Sequence, residues 1–111
     1  MITRESFLSE LKVAVPESDH LVTEHLADND ALLLHLLMSD LLRFAVSTFS
    51  KGRTGVTDRM LKFVDRCLEE GDDYVDNAVG VSFVEDFGAH TGESDALLSR
   101  WPSRLRAELG R

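Results

Sequence analysis

A chain of 111 residues with a formal net charge of −8 has the size of one domain, spanning 1–111, and the wrong sign to hold nucleic-acid phosphates. It is long enough to bury roughly 60–70% of its unfolded surface around one core, and it lacks a charge-free apolar run of about 18 residues, which excludes a transmembrane helix. The opening "MITRESFLSELKVAVPESD" interleaves charges with apolar residues and has no signal-peptide heart, and one cysteine, Cys67, cannot form an internal disulfide; the expectation is a cytoplasmic protein.

The charge is unevenly distributed. Residues 13–42 hold six acids and no Lys or Arg, and residues 67–99 hold nine acids and again no Lys or Arg. Between them, residues 43–66 hold six bases and two acids, and residues 100–111 hold four arginines beside Glu108. Such a chain favours a basic partner, although acidic composition alone also serves solubility.

In chain order the periodicity is helical throughout. "TRESFLSELKVAV" sets Phe7, Leu8, Leu11 and Val15 on one stripe, with Thr3 as cap and Pro16 as terminator. "SDHLVTEHLAD" predicts a short second helix bearing Leu21, Val22 and Leu26. In "DNDALLLHLLMSDLLRFAVSTFSKG" the apolar residues run almost all the way round, which predicts a central helix capped by Asp28, Asn29 or Asp30 and stopped at Gly52. "TDRMLKFVDRCLEEG" is amphipathic: Thr57 is the expected cap, Met60, Leu61, Val64, Cys67 and Leu68 the stripe, and Gly71 the C′ residue. "DDYVDNAVGVSFVEDFG" follows with Asp72 as cap and Gly88 as terminator. The one-residue spacing predicts a tight antiparallel helical hairpin at the centre of the fold. A short helix near 94–99 and a last one from Pro102 complete the chain. Strand signals and internal repeats are missing. The expected fold is all-α: a single-domain irregular bundle of five to seven helices.

Chemistry-bearing motifs are sparse. His20, His25, His35 and His90 do not fall at the i,i+4 spacing of a helical metal pair, and Cys67 is not close to His20 or His25 in the sequence; no metal and no cofactor are expected. Cys67 lies on an apolar stripe and reads as a buried thiol. "SKGRTG" lacks phosphate-loop spacing and follows no strand. In "SRWPSRLRAELGR" the arginines Arg104 and Arg106 are expected to pair with the chain's own acids, and Trp101 to pack on the bundle. No catalytic residues emerge, and the chain is read as a non-enzyme.

The acids of "LEEGDDYVDNAVGVSFVEDFG" carry more information. On a helical wheel Val75, Val79 and Phe83 share one face and Tyr74, Ala78 and Val81 another, so that helix is expected to be largely enclosed. Asp72 and Asp73 suit a helix N-terminus, but Glu69, Glu70, Glu85 and Asp86 fall at predicted C-terminal turns, where acids oppose the dipole. The distance from Asp73 to Asp86, about 20 Å of helix, separates two sets. Glu85 and Asp86 return toward Arg53 and Arg59. Glu69, Glu70, Asp72, Asp73 and Asp76 cluster at the turn. The residues leave a solvated turn and a partner-binding surface equally open; the candidate partner-binding residues are Glu69, Glu70, Asp72, Asp73, Asp76, Glu85 and Asp86.

The stretch "DNAVGVSFVEDF", preceded by "FVDRCLEEGDDYV" and by "LLLHLLMSDLLRFAV", resembles a group of small all-helical bacterial proteins of the toxin-associated immunity type, over roughly residues 30–90. The resemblance implies an inhibitor that binds and neutralises a cognate toxin domain, expected to be basic, through an acidic surface. It brings no catalytic residues, and neither nucleic acid nor membrane is an expected partner. The alternative is a regulatory or adaptor module acting through homodimerisation or partner-helix binding; a homo-oligomer is compatible with both.

Overall fold

The computed structural model describes residues 1–85, 87 and 94–109. Helix α1 (Arg4–Ala14) starts at a capping box: the Ser6 amide donates to Thr3 Oγ1 at 3.2 Å and the Thr3 amide to Ser6 Oγ at 2.9 Å. Pro16 stops it and opens a 3-10 turn, Pro16–Ser18. Phe7, Leu11 and Val15 are buried as the stripe requires, and the Phe7 ring meets Phe63 edge-on at 5.4 Å.

Helix α2 (Asp19–Asn29) differs from expectation in two respects. Leu26 is exposed, and the buried residue of this helix is His25, only 4% accessible. Asp28 and Asn29 form the last turn of α2 and Asp30 closes it at φ 57, a left-handed conformation that Asp tolerates. These residues therefore do not cap α3 (Leu34–Ser50), whose N-cap is Leu33 with no side-chain cap bond. A tertiary contact replaces the cap: the Leu33 amide donates to His25 Nε2 at 3.0 Å.

Helix α3 is central. Leu34, Leu37, Met38, Leu41, Leu42, Ala45 and Val46 are all buried, and the helix packs against α2, α4 (Thr54–Glu70) and α5 (Asp73–Val79). Gly52, at φ 78, makes the sharp α3–α4 turn. Thr57 is not the cap of α4, which begins at Thr54 after Arg53. The Thr57 hydroxyl is instead buried and joined to Thr48 of α3 at 2.7 Å. The α4 stripe of Met60, Leu61, Val64 and Cys67 is buried, with Leu68 half-buried beside it.

Gly71 ends α4, but in extended conformation (φ −72, ψ 151), not the left-handed one expected of a C′ glycine. Glycine is needed here for space: a Cβ would lie 2.3 Å from the Cys67 carbonyl oxygen and 2.9 Å from Val75. The N-terminus lies against this turn. The Ile2 amide donates to Glu70 O at 2.7 Å and the Asp72 amide to Ile2 O at 2.9 Å, an isolated parallel bridge between Ile2 and Gly71.

Asp72 caps α5 as expected, its Oδ1 accepting from the Val75 amide at 2.9 Å. The helix then widens into a π-helical turn, Gly80–Val84, where the Glu85 amide reaches Gly80 O at 3.1 Å. This widening was not read from the sequence, since a π turn is a single wide turn inside an otherwise α-helical run. The expected terminator Gly88 lies outside the described residues. Ser94 caps the single turn α6 (Asp95–Leu98), and α7 (Ser103–Leu109) follows Pro102. Trp101 is buried, its ring 5.8 Å from Phe83 and 4.8 Å from Phe87. The fold is all-α, with seven α-helices among the described residues and one continuous core, against which α2 packs only the partly buried Leu21 and Val22.

Candidate functional site

The α4–α5 turn gathers the acids singled out from the sequence, and the structure divides them by what they do. Glu69 lies 3.2 Å from Arg104 of α7, and Glu70 lies 3.2 Å from Arg66, one helical turn earlier. Arg66 also pairs with Glu10 of α1. Asp72 is occupied as a cap. These three side chains are accounted for by the fold, and Arg104, 35 positions beyond Glu69, could not be paired with it from sequence spacing.

Asp73, Asp76 and Glu85 are different. All three are exposed and take part in no ion pair with another described residue. Arg59, expected to answer Glu85, instead clasps Glu17: Nη1 to Oε1 is 2.9 Å, and Nη2 contacts Oε2. That clasp holds the Glu17 carboxyl at about 2, below its ordinary 4.5, chiefly through the hydrogen bond from Arg59. Asp86 lies outside the described residues.

Exposed apolar groups share the α5–π element with the free acids. Tyr74 and Val81 are each 42% accessible, so this helix is less enclosed than its wheel implies. They are seven residues apart, and Ala78, which the wheel places on the same face, is fully buried between them. Tyr74 is held by His35 of α3, ring edge to ring face at 5.9 Å. His35 Nδ1 is 3.1 Å from Ser82 Oγ, and Ser39 Oγ donates to Ser82 O at 3.2 Å. This polar link fixes the π turn on α3. Ser82 is itself only 9% accessible, a poor position for a nucleophile that must meet substrate.

The remaining reactive groups are structural. Cys67 is fully buried, and burial pushes its thiol up to about 12, far from a reactive thiolate. His20 sits against the Phe44 ring at 5.9 Å, and His90 lies outside the described residues. Among the described residues no group of three or more His, Cys, Asp or Glu side chains could hold a metal ion, and no helix is long and apolar enough to cross a membrane.

A second acidic region lies between α2 and α3. A cleft of about 500 Å³ opens there, lined by Leu21, Glu24 and Asp28 from α2 and by Leu36, Asp40 and Arg43 from α3, among others.

The chain belongs to the family described as a domain of unknown function, DUF7674, which matches residues 8–111. The match takes in the C-terminal segment that holds Trp101 and Arg104 as well as the helices before it. No curated protein and no solved structure matches the chain.

Proposed function

We propose that this chain is a non-enzymatic, cytoplasmic protein of the immunity type, which binds a basic toxin domain and neutralises it by occupying its surface. The observation that carries this reading is the outer side of α5 and its π turn. There the free acids Asp73, Asp76 and Glu85 accompany the exposed Tyr74 and Val81. Unpaired surface charge accelerates encounter with a partner of opposite sign, and a partly exposed tyrosine beside apolar area is the usual centre of a tight contact. Buried Cys67 and screened Ser82 offer no nucleophile, which favours a binder over an enzyme.

The test is the association rate with a purified candidate toxin domain of basic charge. Asp73→Asn with Asp76→Asn should slow association roughly 10-fold at low salt, with the difference fading near 1 M salt, where the screening length falls to about 3 Å. Glu69→Gln with Glu70→Gln should slow it less, because both charges are already answered within the fold. Equal slowing by the two pairs would reduce the effect to net charge, and no slowing by either would end the proposal.

A further inference from the structure

The cleft between α2 and α3 has the form of a receptor for a side chain. Its α2 wall carries Leu21, Glu24, His25 and Asp28, and its α3 wall Leu36, Ser39, Asp40 and Arg43, both at the i, i+3, i+4, i+7 spacing of a single helix face. Leu21 is half-buried, while Leu36 is 53% accessible, an unusual position for a leucine on the central helix. Glu24 and Asp28 are exposed and make no ion pair with a described residue, and Arg43, the basic residue of the cleft, is already paired with Asp40. The wall is fixed: His25 is tied to the start of α3 through the Leu33 amide, and Ser39 to the π turn through Ser82 O. That last bond places the cleft next to the surface that bears Val81.

We infer that this cleft seats an apolar side chain on a basic segment of the protein partner. Leu21 and Leu36 contact the apolar group, and Glu24 and Asp28 receive the flanking Lys or Arg. The choice of occupant follows from charge: the lining holds three carboxylates against one guanidinium that is already engaged, so an anionic or neutral segment leaves Glu24 and Asp28 unanswered on burial. The inference rests on the proposal that the chain binds a basic protein. It assigns the α5 acids to steering and the cleft to anchoring, two roles that separate kinetically because steering acts on association and buried contacts on dissociation.

The probe is a labelled amphipathic peptide of leucine and lysine, about 14 residues or four helical turns long, followed by stopped-flow binding to the full chain. Leu36→Lys should speed dissociation by at least about tenfold and change association by less than about twofold. Glu24→Gln with Asp28→Asn should weaken binding and flatten its salt dependence. Glu5→Gln with Asp95→Asn, exposed acids outside both surfaces, serves as the charge control and should change neither rate by more than about twofold. Leu36→Gln replaces Leu36→Lys if the latter loses its helical circular dichroism. If the Leu36 variants leave dissociation unchanged while Asp73→Asn with Asp76→Asn slows association, the cleft assignment is wrong and the basic-partner proposal stands. If neither set matters, both are wrong. If the wild-type chain sediments as a dimer that Leu36→Lys dissolves, the occupant is a second copy and the inference is overturned.

Discussion

The α4 side of the molecule and the α2–α3–α5 side treat charge in opposite ways. On α4, Arg59 clasps Glu17, Arg66 meets Glu10 and Glu70, Asp58 holds Arg100, and Asp65 holds Arg104. Arg59, Arg66, Arg100 and Arg104, from the two basic stretches of the sequence, thereby hold α1, the 3-10 turn after it, the segment after α6, and α7 onto one helix. On the other side Glu24, Asp28, Asp73, Asp76 and Glu85 are exposed without ion-pair partners among the described residues. Five of the chain's 20 acids thus lie on α2, α5 and the π turn without a described cationic partner, whereas those on α4 are engaged in assembling the fold. Charge on α4 holds helices together, and the exposed acids of the other side are those the proposal gives to a partner.

The sharpest way to break that contrast is Asp65→Ala. Asp65 accepts both Arg104 Nη1 at 2.7 Å and the Leu105 amide at 2.9 Å, so it caps α7 from a different helix, and its side chain is only 16% accessible. Its loss should cost about 2–3 kcal/mol in urea denaturation. A cost under about 0.5 kcal/mol would place Asp65 with the solvated acids.

Next in size is His25→Leu, which leaves the Leu33 amide without its acceptor. The expected cost is about 1–2 kcal/mol by the same measurement, with amide exchange at Leu33 accelerated more than at Leu41. Uniform exchange across α3 would show that His25 does not hold its start.

The Glu17–Arg59 pair gives a pH signature. The folded carboxyl titrates at about 2 against an ordinary 4.5, so its contribution is present above 4.5 and is lost as the pH falls toward 2. The pair is solvent-exposed and its effect small. Thermal midpoints of wild type and Glu17→Gln should therefore differ modestly at neutral pH and converge below about 2; a gap that persists in acid would assign the effect to packing.

The smallest effect sharpens the other half of the contrast. Asp73→Asn with Asp76→Asn should leave the denaturation midpoint within about 0.5 kcal/mol of wild type. A larger loss would mean that these acids stabilise α5 through its N-terminus and are not kept for a partner.

Much of the fold was legible because its signals are local. The stripes of α1 and α4, the caps at Thr3 and Asp72, the stop at Pro16 and the turn at Gly52 depend on residues within one or two helical turns of each other, and helical periodicity registers such neighbours directly. The same periodicity marked the acids of residues 67–86 as unusual, although it could not sort them.

Asp72 and Glu70 are answered locally, by the cap bond to Val75 and by Arg66 one turn away, but the rest of the sorting was decided by tertiary structure. Glu69 is answered by Arg104 because α7 returns to α4, and the start of α3 is held by His25 because α2 folds back beside it. Gly71 is required by the approach of Val75 and the Cys67 carbonyl, not by a left-handed backbone. Tyr74 and Leu36 are exposed because no element of the described fold covers them. Composition and spacing thus determined which residues form helices and how much charge the chain carries. Which charges are neutralised and which apolar groups face solvent depended mainly on contacts between residues far apart in sequence, and no local pattern records those.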